Sequence, residues 1–340
     1  MQKLSKLTRT VVPVSYGGLL HHCRGMVTCA LYRGRVRKTD AHLILFQIPA
    51  DRIHFMRFFA LTHRTALLLQ ACTAILFSTS GFLIKIITIP PLALVGIRGL
   101  IATCVIALYI GRPRFAFSWL QIWGALALAG AQVFFVLATR QTTAANAIFL
   151  QYTAPVYVAF FGIWFLHEKV TRADWVTMAV VFLGLGLFLG DSLSVQAGWG
   201  MVNALLAGVS FAWYILLLRK QKDASPMEAA LLGNLVTALI GLPFALTVRP
   251  TGLEWAGLLF LGIFQLGIPF LLMAIAIKQL TAVETVLIQT LEPILNPIWV
   301  FLVVGEAPSA WALVGGALVI GAVTARALVA ARAERIVAPA

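Results

Sequence analysis

The chain has 340 residues, of which 61% are hydrophobic and only 11% are charged, and its formal net charge is +14. Soluble domains carry about 25% charged residues, so this composition excludes an ordinary soluble domain and indicates a membrane protein. The positive charge does not indicate nucleic-acid binding. Of the 26 Lys and Arg residues, 11 precede residue 65, and most of the others occupy short gaps between apolar runs, as topology signals do.

Residues 1–64 differ from the rest of the chain. They are basic and rich in histidine, with one short apolar run at 43–46. This segment is too long and too poorly patterned for a secretory signal, so we expect a disordered N-terminal extension. Met56 opens a stretch typical of the start of a membrane protein. We therefore expect residues 1–55 to have no role in the core activity, and their presence in the mature protein is open.

The remaining chain contains ten apolar runs of about 20 residues, the length that crosses a bilayer as a helix. The predicted spans are 65–85, 91–110, 119–138, 145–166, 174–190, 198–218, 228–248, 254–277, 281–304 and 309–329. If the N-terminus is cytoplasmic, eleven basic residues lie on the inner side and three on the outer side. This bias predicts an all-α, multi-pass protein of the cell (inner) membrane with both termini cytoplasmic, including the tail at 330–340.

An internal repeat relates the two halves of the chain. Residues 141–168 and 279–306 align with an offset of 138 and share six identities in 28 positions, where composition alone would give roughly two or three. The same offset aligns 66–74 with 204–212, which predicts two five-helix repeats at 65–190 and 198–329. Because five is odd, the second repeat would be inverted in the membrane. Inverted repeats are typical of secondary transporters, whose solute site lies near the midplane between the repeats.

Several motifs resemble one known family, the EamA-type transporters of the drug/metabolite transporter superfamily. They are the paired Ala, Pro and Glu positions of spans four and nine, FSTSGFLIK at 77–85 in span one, and PLALVGIRGLIA at 91–102 in span two. The resemblance covers about residues 65–330. It implies a ten-helix carrier of small metabolites, often an exporter of amino acids or related compounds, that works by alternating access around a central cavity.

The resemblance also assigns roles to the paired residues of the repeat. It implies kinks at Pro155 and Pro293, where each missing amide hydrogen frees a carbonyl one turn earlier, and such kinks would let the two halves flex. A static kink that only shapes packing is the alternative. Glu168 and Glu306 would lie at the ends of spans four and nine, where we expect a structural role on loop backbone or a nearby Lys or Arg.

Polar residues form a stripe in span nine. Thr285, Gln289, Glu292 and Asn296 are spaced four, three and four apart, which predicts that they share one helix face. In span four only Gln151 is polar among their repeat counterparts. A charge as deep as Glu292 costs about 2.5–3.5 kcal/mol, so we expect it to face a solute, a proton pathway or a partner. A structural carboxyl group bonded to Gln289 or to backbone freed by Pro293 is the alternative.

Arg98 is a basic residue inside span two, close to the predicted outer surface. Two interpretations are open. The side chain either extends to that surface along its apolar stem, or pairs with an anionic substrate or with Glu292.

The sequence contains no P-loop, metal-ligand motif or catalytic signature, so we expect no cofactor, no metal and no enzymatic activity. The expected partners are a small-molecule solute and the lipid bilayer, with proton coupling open and a monomer or homodimer as the assembly. Two alternatives to a carrier are a membrane-embedded enzyme acting on lipid-linked substrates and a channel. A channel needs a continuous polar path, and one short stripe does not provide it.

Overall fold

The structure is a computed structural model, and it describes residues 62–80, 83–84, 87–142, 144–189, 198–295, 299 and 310–337. Within these ranges the chain is helical and contains no β-strand, which confirms the predicted all-α class for the described residues. The predicted N-terminal extension lies outside them, apart from its last few residues.

We number the helices in chain order. The first half contributes α1 (His63–Phe77), α2 (Pro91–Ile110), α3 (Trp119–Gln141), α4 (Ala144–Gln151), α5 (Ala154–Phe161) and α6 (Arg172–Leu189). The second half contributes α7 (Trp199–Lys220), α8 (Pro226–Ala245), α9 (Gly252–Phe260), α10 (Ile268–Ala276), α11 (Ala282–Gln289) and α12 (Ala310–Val337). A π-helical segment, Gly162–Leu166, extends α5, and another, Leu261–Gly267, joins α9 to α10.

Five helical runs in the described residues are long and apolar enough to cross a membrane: α2, α3, α7, α8 and the run from α9 to α10. Each coincides with a predicted span to within a few residues. The other predicted spans correspond to helices that are shorter, interrupted, more polar or partly outside the described residues. Ten spans and cytoplasmic termini therefore stay predictions.

Local sequence signals set the ends of several helices. Hydroxyl side chains accept a hydrogen bond from backbone at the starts of α1, α3, α9 and α11, and these caps are Thr62, Ser118, Thr251 and Thr281. Pro91 begins α2, where an amide hydrogen would have no helical partner. Gly111 ends the same helix with a φ of 72°, a conformation that glycine adopts without strain.

The packing of the helices repeats between the two halves. Helix α3 packs along α7, and the repeat counterparts of these helices, α10 and α1, pack along each other. Two further large contacts join counterparts directly, α2 with α8 and α6 with α12, and α8 also packs along α3. These helix contacts agree with the predicted inverted repeat, in which a pseudo-two-fold axis relates the two halves.

Helices α2 and α8 cross with their backbones in contact. A Cβ atom added to Gly96 would lie 2.7 Å from the backbone of Gly241, which is closer than real Cβ atoms approach. Nearby, a Cβ atom on Gly99 would lie 3.2 Å from the carbonyl oxygen of Asn234. Small residues at a helix crossing let the backbones approach this closely, and no larger side chain fits there.

At one end of the helices, charged side chains join the two halves. Arg219 Nε donates to Glu168 Oε1 at 2.7 Å, and the amide of Ala282, at the start of α11, donates to Glu168 Oε2 at 3.0 Å. A second group at helix ends contains Arg326, whose Nε lies 2.6 Å from Asp174 Oδ1 and whose Nη2 lies 3.7 Å from Glu284 Oε1. All of these residues belong to helix ends that the sequence predicts on the cytoplasmic side.

Different contacts join the helix ends predicted on the outer side. Thr88 donates to Glu254 Oε1 through its amide at 3.1 Å and through its hydroxyl at 2.8 Å. Arg140 Nη2 donates to the carbonyl oxygen of Ile87 at 2.6 Å. These contacts involve only residues of predicted outer ends, so the described contacts agree with the predicted alternation of helix direction.

Candidate functional site

Span four is not one helix. Helix α4 ends at Gln151, residues 152–153 form a turn, and α5 begins at Ala154. Pro155 occupies the first turn of α5, directly after this interruption. The interruption coincides with the predicted kink, and bending at this place stays a prediction. Proline lacks the amide hydrogen that a continuing helix needs, whereas the first turn of a helix does not need it.

Span nine is interrupted at the equivalent place. Helix α11 ends at Gln289, Thr290 forms the turn, and residues 291–295 are helical again with Pro293 among them. The hydroxyl of Thr290 donates to the carbonyl oxygen of Leu287 at 2.6 Å, which satisfies one of the carbonyls at the helix end. The predicted continuous stripe therefore runs over two short helices.

A chain of hydrogen bonds crosses the two breaks. Gln70 Nε2, on α1, donates to Gln289 Oε1 at 2.9 Å, and Gln289 Nε2 donates to Glu292 Oε2 at 2.9 Å. Tyr152 Oη, in the break of span four, donates to the same Glu292 oxygen at 2.6 Å. Both breaks thus contribute to one polar network, in which the carboxyl group of Glu292 accepts from both halves.

The network borders a small cavity with a volume of about 60 Å³. The polar residues that line it come from five helical segments and the turn at 152–153, and they are Arg98, Gln132, Gln151, Tyr152, Gln265 and Glu292. Aromatic and aliphatic side chains complete the wall, and they are Phe77, Leu128, Ala131, Phe135, Phe211, Leu266 and Phe270. An apolar cavity with a few converging polar groups is the common form of a small-molecule site.

Arg98 does not extend to the surface as one of the two interpretations expected. Its side chain is 2% exposed and lines the cavity, and its Nε and Nη1 atoms have no hydrogen-bond partner among the described residues. It makes no ion pair with Glu292. Its position instead agrees with the interpretation that it faces a solute.

The other residues singled out from the sequence take different positions. Gln289 is buried behind the cavity wall, and the Thr285 hydroxyl donates to the Thr281 carbonyl of its own helix at 2.9 Å. Thr285 contributes through its backbone, because its carbonyl accepts from Gln70 Nε2 at 3.3 Å. Asn296 and Glu306 lie outside the described residues.

Gln70 belongs to the site but is not among the residues predicted from the sequence. It is fully buried and donates to the network from a helix that is 219 residues away from Gln289 in the chain. A signal was available, since Gln70 is an amide inside an apolar run. The 138-residue offset also pairs it with Gly208, so the two halves differ sharply at this position.

A comparison with protein families shows to which family the chain belongs. The model of the EamA-like transporter family matches residues 64–190 and, a second time, residues 198–325. The chain belongs to the EamA-like transporter family. The two matches coincide closely with the repeats predicted from the sequence, so the family resemblance is confirmed.

Two named relatives of this EamA transporter are exporters. The pseudopaline exporter CntI of Pseudomonas aeruginosa (strain UCBPP-PA14) is 28% identical over 276 residues, which cover 76% of this chain and 94% of CntI. The threonine/homoserine exporter RhtA of Escherichia coli (strain K12) is 27% identical over 185 residues, which cover 53% of this chain and 61% of RhtA. The alignment with RhtA therefore spans less than two thirds of that protein.

A solved structure supports the fold. One crystal structure of another protein superposes with a TM-score of 0.69 at 23% sequence identity, and the match covers 80% of this chain and 99% of the other. Family membership and the apolar helices make this chain a multi-pass membrane transporter, as the sequence predicts. Its family and its named relatives are transporters and exporters rather than enzymes.

Proposed function

We propose that this EamA transporter exports small organic metabolites such as amino acids. Its two inverted repeats alternate access to a site near the membrane midplane, with ten spans and both termini cytoplasmic. The named relatives support this proposal, because both CntI and RhtA are exporters of small molecules.

One observation carries the assignment of the site. Tyr152 from the break of the first repeat donates to Glu292 beside the break of the second, at the wall of the cavity. Broken helices at equivalent positions of two inverted repeats commonly form transporter sites, because they expose polar backbone and permit local rearrangement. We assign solute binding or coupling to Glu292, Gln289, Thr285, Gln151, Asn296 and Arg98, and bending to Pro155 and Pro293.

Proton coupling is part of the proposal. Glu292 is the carboxyl group that lines the cavity, and its two described hydrogen bonds both go to Oε2. A carboxyl group in the membrane interior that can exchange a proton with a cavity is a recurrent element of proton-linked transporters. If Glu292 carries the proton, then dissipating the pH gradient with an uncoupler reduces export by the native chain.

The experiment that tests the function is a release assay. The full chain and its Glu292→Gln variant are overexpressed in a bacterial host, and the metabolites in the medium are profiled. We expect at least one small organic solute to accumulate with the native chain, and at least tenfold less of it with the variant, since a lost interaction of about 1.4 kcal/mol already changes an equilibrium tenfold. Glu228→Gln, at the start of α8 and away from the cavity, is the matched control and should export normally.

Two results would count against parts of this proposal. No solute in excess over cells that lack the protein would contradict the export function. Equal release by the native chain and by a well-folded Glu292→Gln variant would keep the export function and reduce Glu292 to a structural residue.

A further inference from the structure

The charge of Arg98 has no counterpart among the described residues. The side chain is 2% exposed in the interior of α2, one of the helices that can cross a membrane. Its Nε and Nη1 atoms have no hydrogen-bond partner among the described residues. Burying a charge without a partner is strongly unfavourable, so a persistent group of this kind points to a ligand that completes it.

Two amide oxygens in the same cavity also lack partners. Gln132 Nε2 donates to Asn234 Oδ1 at 3.2 Å, and Asn234 Nδ2 donates to the carbonyl oxygen of Ala230 at 2.9 Å. Because that backbone oxygen can only accept, the chain of bonds fixes the orientation of both amides. Gln132 Oε1 is therefore left as a buried acceptor with no described donor, and Gln265 Oε1 is in the same condition.

Some polar groups in the cavity lining are unpaired, and others already have hydrogen-bond partners. The cavity lining offers unpaired guanidinium donors from Arg98 and unpaired amide acceptors from Gln132 and Gln265. Glu292 lines the same cavity but is already bonded to Tyr152 and Gln289. A solute that pairs with the Arg98 guanidinium and the two amide oxygens needs an anionic acceptor next to an N–H donor.

We propose that Arg98, Gln132 and Gln265 form a subsite for the α-amino carboxylate group of the solute. The guanidinium of Arg98 binds the carboxylate, an interaction for which its planar donors are well suited. The amide oxygens of Gln132 and Gln265 accept from the ammonium group. This inference rests on the proposed export function and names the chemical class of the solute, with Arg98 as the residue that selects it.

Binding to the purified full chain in lipid nanodiscs tests the subsite directly. The thermal unfolding midpoint is measured with each standard L-amino acid and, for each one that raises it, with the corresponding carboxamide. We expect at least one amino acid to raise the midpoint, and its carboxamide to have about 10- to 100-fold lower apparent affinity, because the charge-assisted bonds are lost. The inference is overturned if no amino acid has an effect, or if acid and amide act equally.

Three variants separate solute recognition from a structural role. Arg98→Gln removes an unpaired buried charge, so we expect an unfolding midpoint without solute that is unchanged or higher, together with loss of the response to amino acids. Arg98→Lys keeps the charge without the planar pair of donors and should retain a weakened response. Arg249→Gln, in the exposed loop between α8 and α9, should respond like the native chain. A lower midpoint for Arg98→Gln with an intact response to amino acids would show that Arg98 is structural and would overturn the inference.

The release assay distinguishes failure of the subsite from failure of the transport function. Release of solutes that carry no carboxylate, unchanged in the Arg98→Gln variant, would overturn the subsite and leave export standing. Binding of amino acids that depends on Arg98, without release of any solute, would support the subsite and contradict export.

Discussion

The breaks in spans four and nine have a similar backbone but different surroundings. In each, a helix ends at a glutamine, Gln151 or Gln289, and a proline follows four residues later. Gly208, from the second repeat, faces the first break, and a Cβ atom added to it would lie 2.8 Å from the Gln151 carbonyl oxygen. Gln70, from the first repeat, has the equivalent position at the second break, where its amide donates to Gln289 and to the Thr285 carbonyl.

The two breaks are therefore stabilised by different kinds of contact. The first break is closed by direct backbone contact, which needs only a glycine. The second is closed by amide hydrogen bonds that continue to Glu292. A similar backbone in both repeats permits similar bending at both places, while side-chain hydrogen bonds hold the second break together.

The largest effect is expected from filling the glycine contact. Gly208→Leu would force a side chain into the backbone of Leu150 and Gln151, so we expect a loss of about 3 kcal/mol or more in the free energy of unfolding. The measurement is the thermal unfolding midpoint in nanodiscs. Gly186→Leu is the control, because no described atom lies within 4 Å of a Cβ atom added there. Equal behaviour of the two variants would refute the packing role of Gly208.

A smaller effect is expected from removing the amide of the second break. Gln70→Leu removes the donor to Gln289 Oε1 and to the Thr285 carbonyl oxygen, which costs roughly 1–2 kcal/mol. Export should fall as well, because Gln289 is then free to turn away from Glu292. The control is Asn203→Leu, which breaks an exposed amide pair with Gln141 and should change stability by less than about 0.5 kcal/mol. Normal export by Gln70→Leu would place Gln70 outside the functional network.

The smallest effect on stability is expected from removing the hydrogen bond between Tyr152 and Glu292, which joins the two repeats. Tyr152→Phe removes one hydrogen bond to Glu292 and should cost about 1 kcal/mol. Tyr214→Phe is a matched control, because the Tyr214 hydroxyl is buried with no described partner and its loss should be neutral or stabilising. The unfolding midpoints of the two variants give the difference directly. If Tyr152→Phe is as harmless as Tyr214→Phe, then the bond to Glu292 contributes nothing to stability.

The sequence predicts the spans better than their interruptions. Spans such as 91–110 and 119–138 agree with the observed helices because apolar length and capping residues are local properties. The prolines predict a kink in each of spans four and nine, and in each span a short turn separates two helices just before the proline. The local pattern does not give the length of this turn, since proline is compatible both with a kink and with the first turn of a new helix.

Individual residues of the site could be predicted, but their partners could not. Glu292, Gln151 and Arg98 stand out because polar residues are rare in apolar runs, and all three line the cavity. Gln70 reaches Gln289 across 219 residues of chain, and Tyr152 reaches Glu292 across 140. Such contacts depend on how distant helices pack, which the spacing within one span does not contain.

The carboxyl group of Glu168 holds the two halves together at one end of the helices. Its two oxygens bind the side chain of Arg219 and the amide of Ala282, and Arg219 also donates to the Ile277 carbonyl oxygen at 2.8 Å. If the cavity opens toward this end, these bonds must break together and their groups must become hydrated. Such a concerted step would be slow compared with loop motion, so in the proposed transport cycle the Glu168 contacts would set how long this end of the protein stays closed.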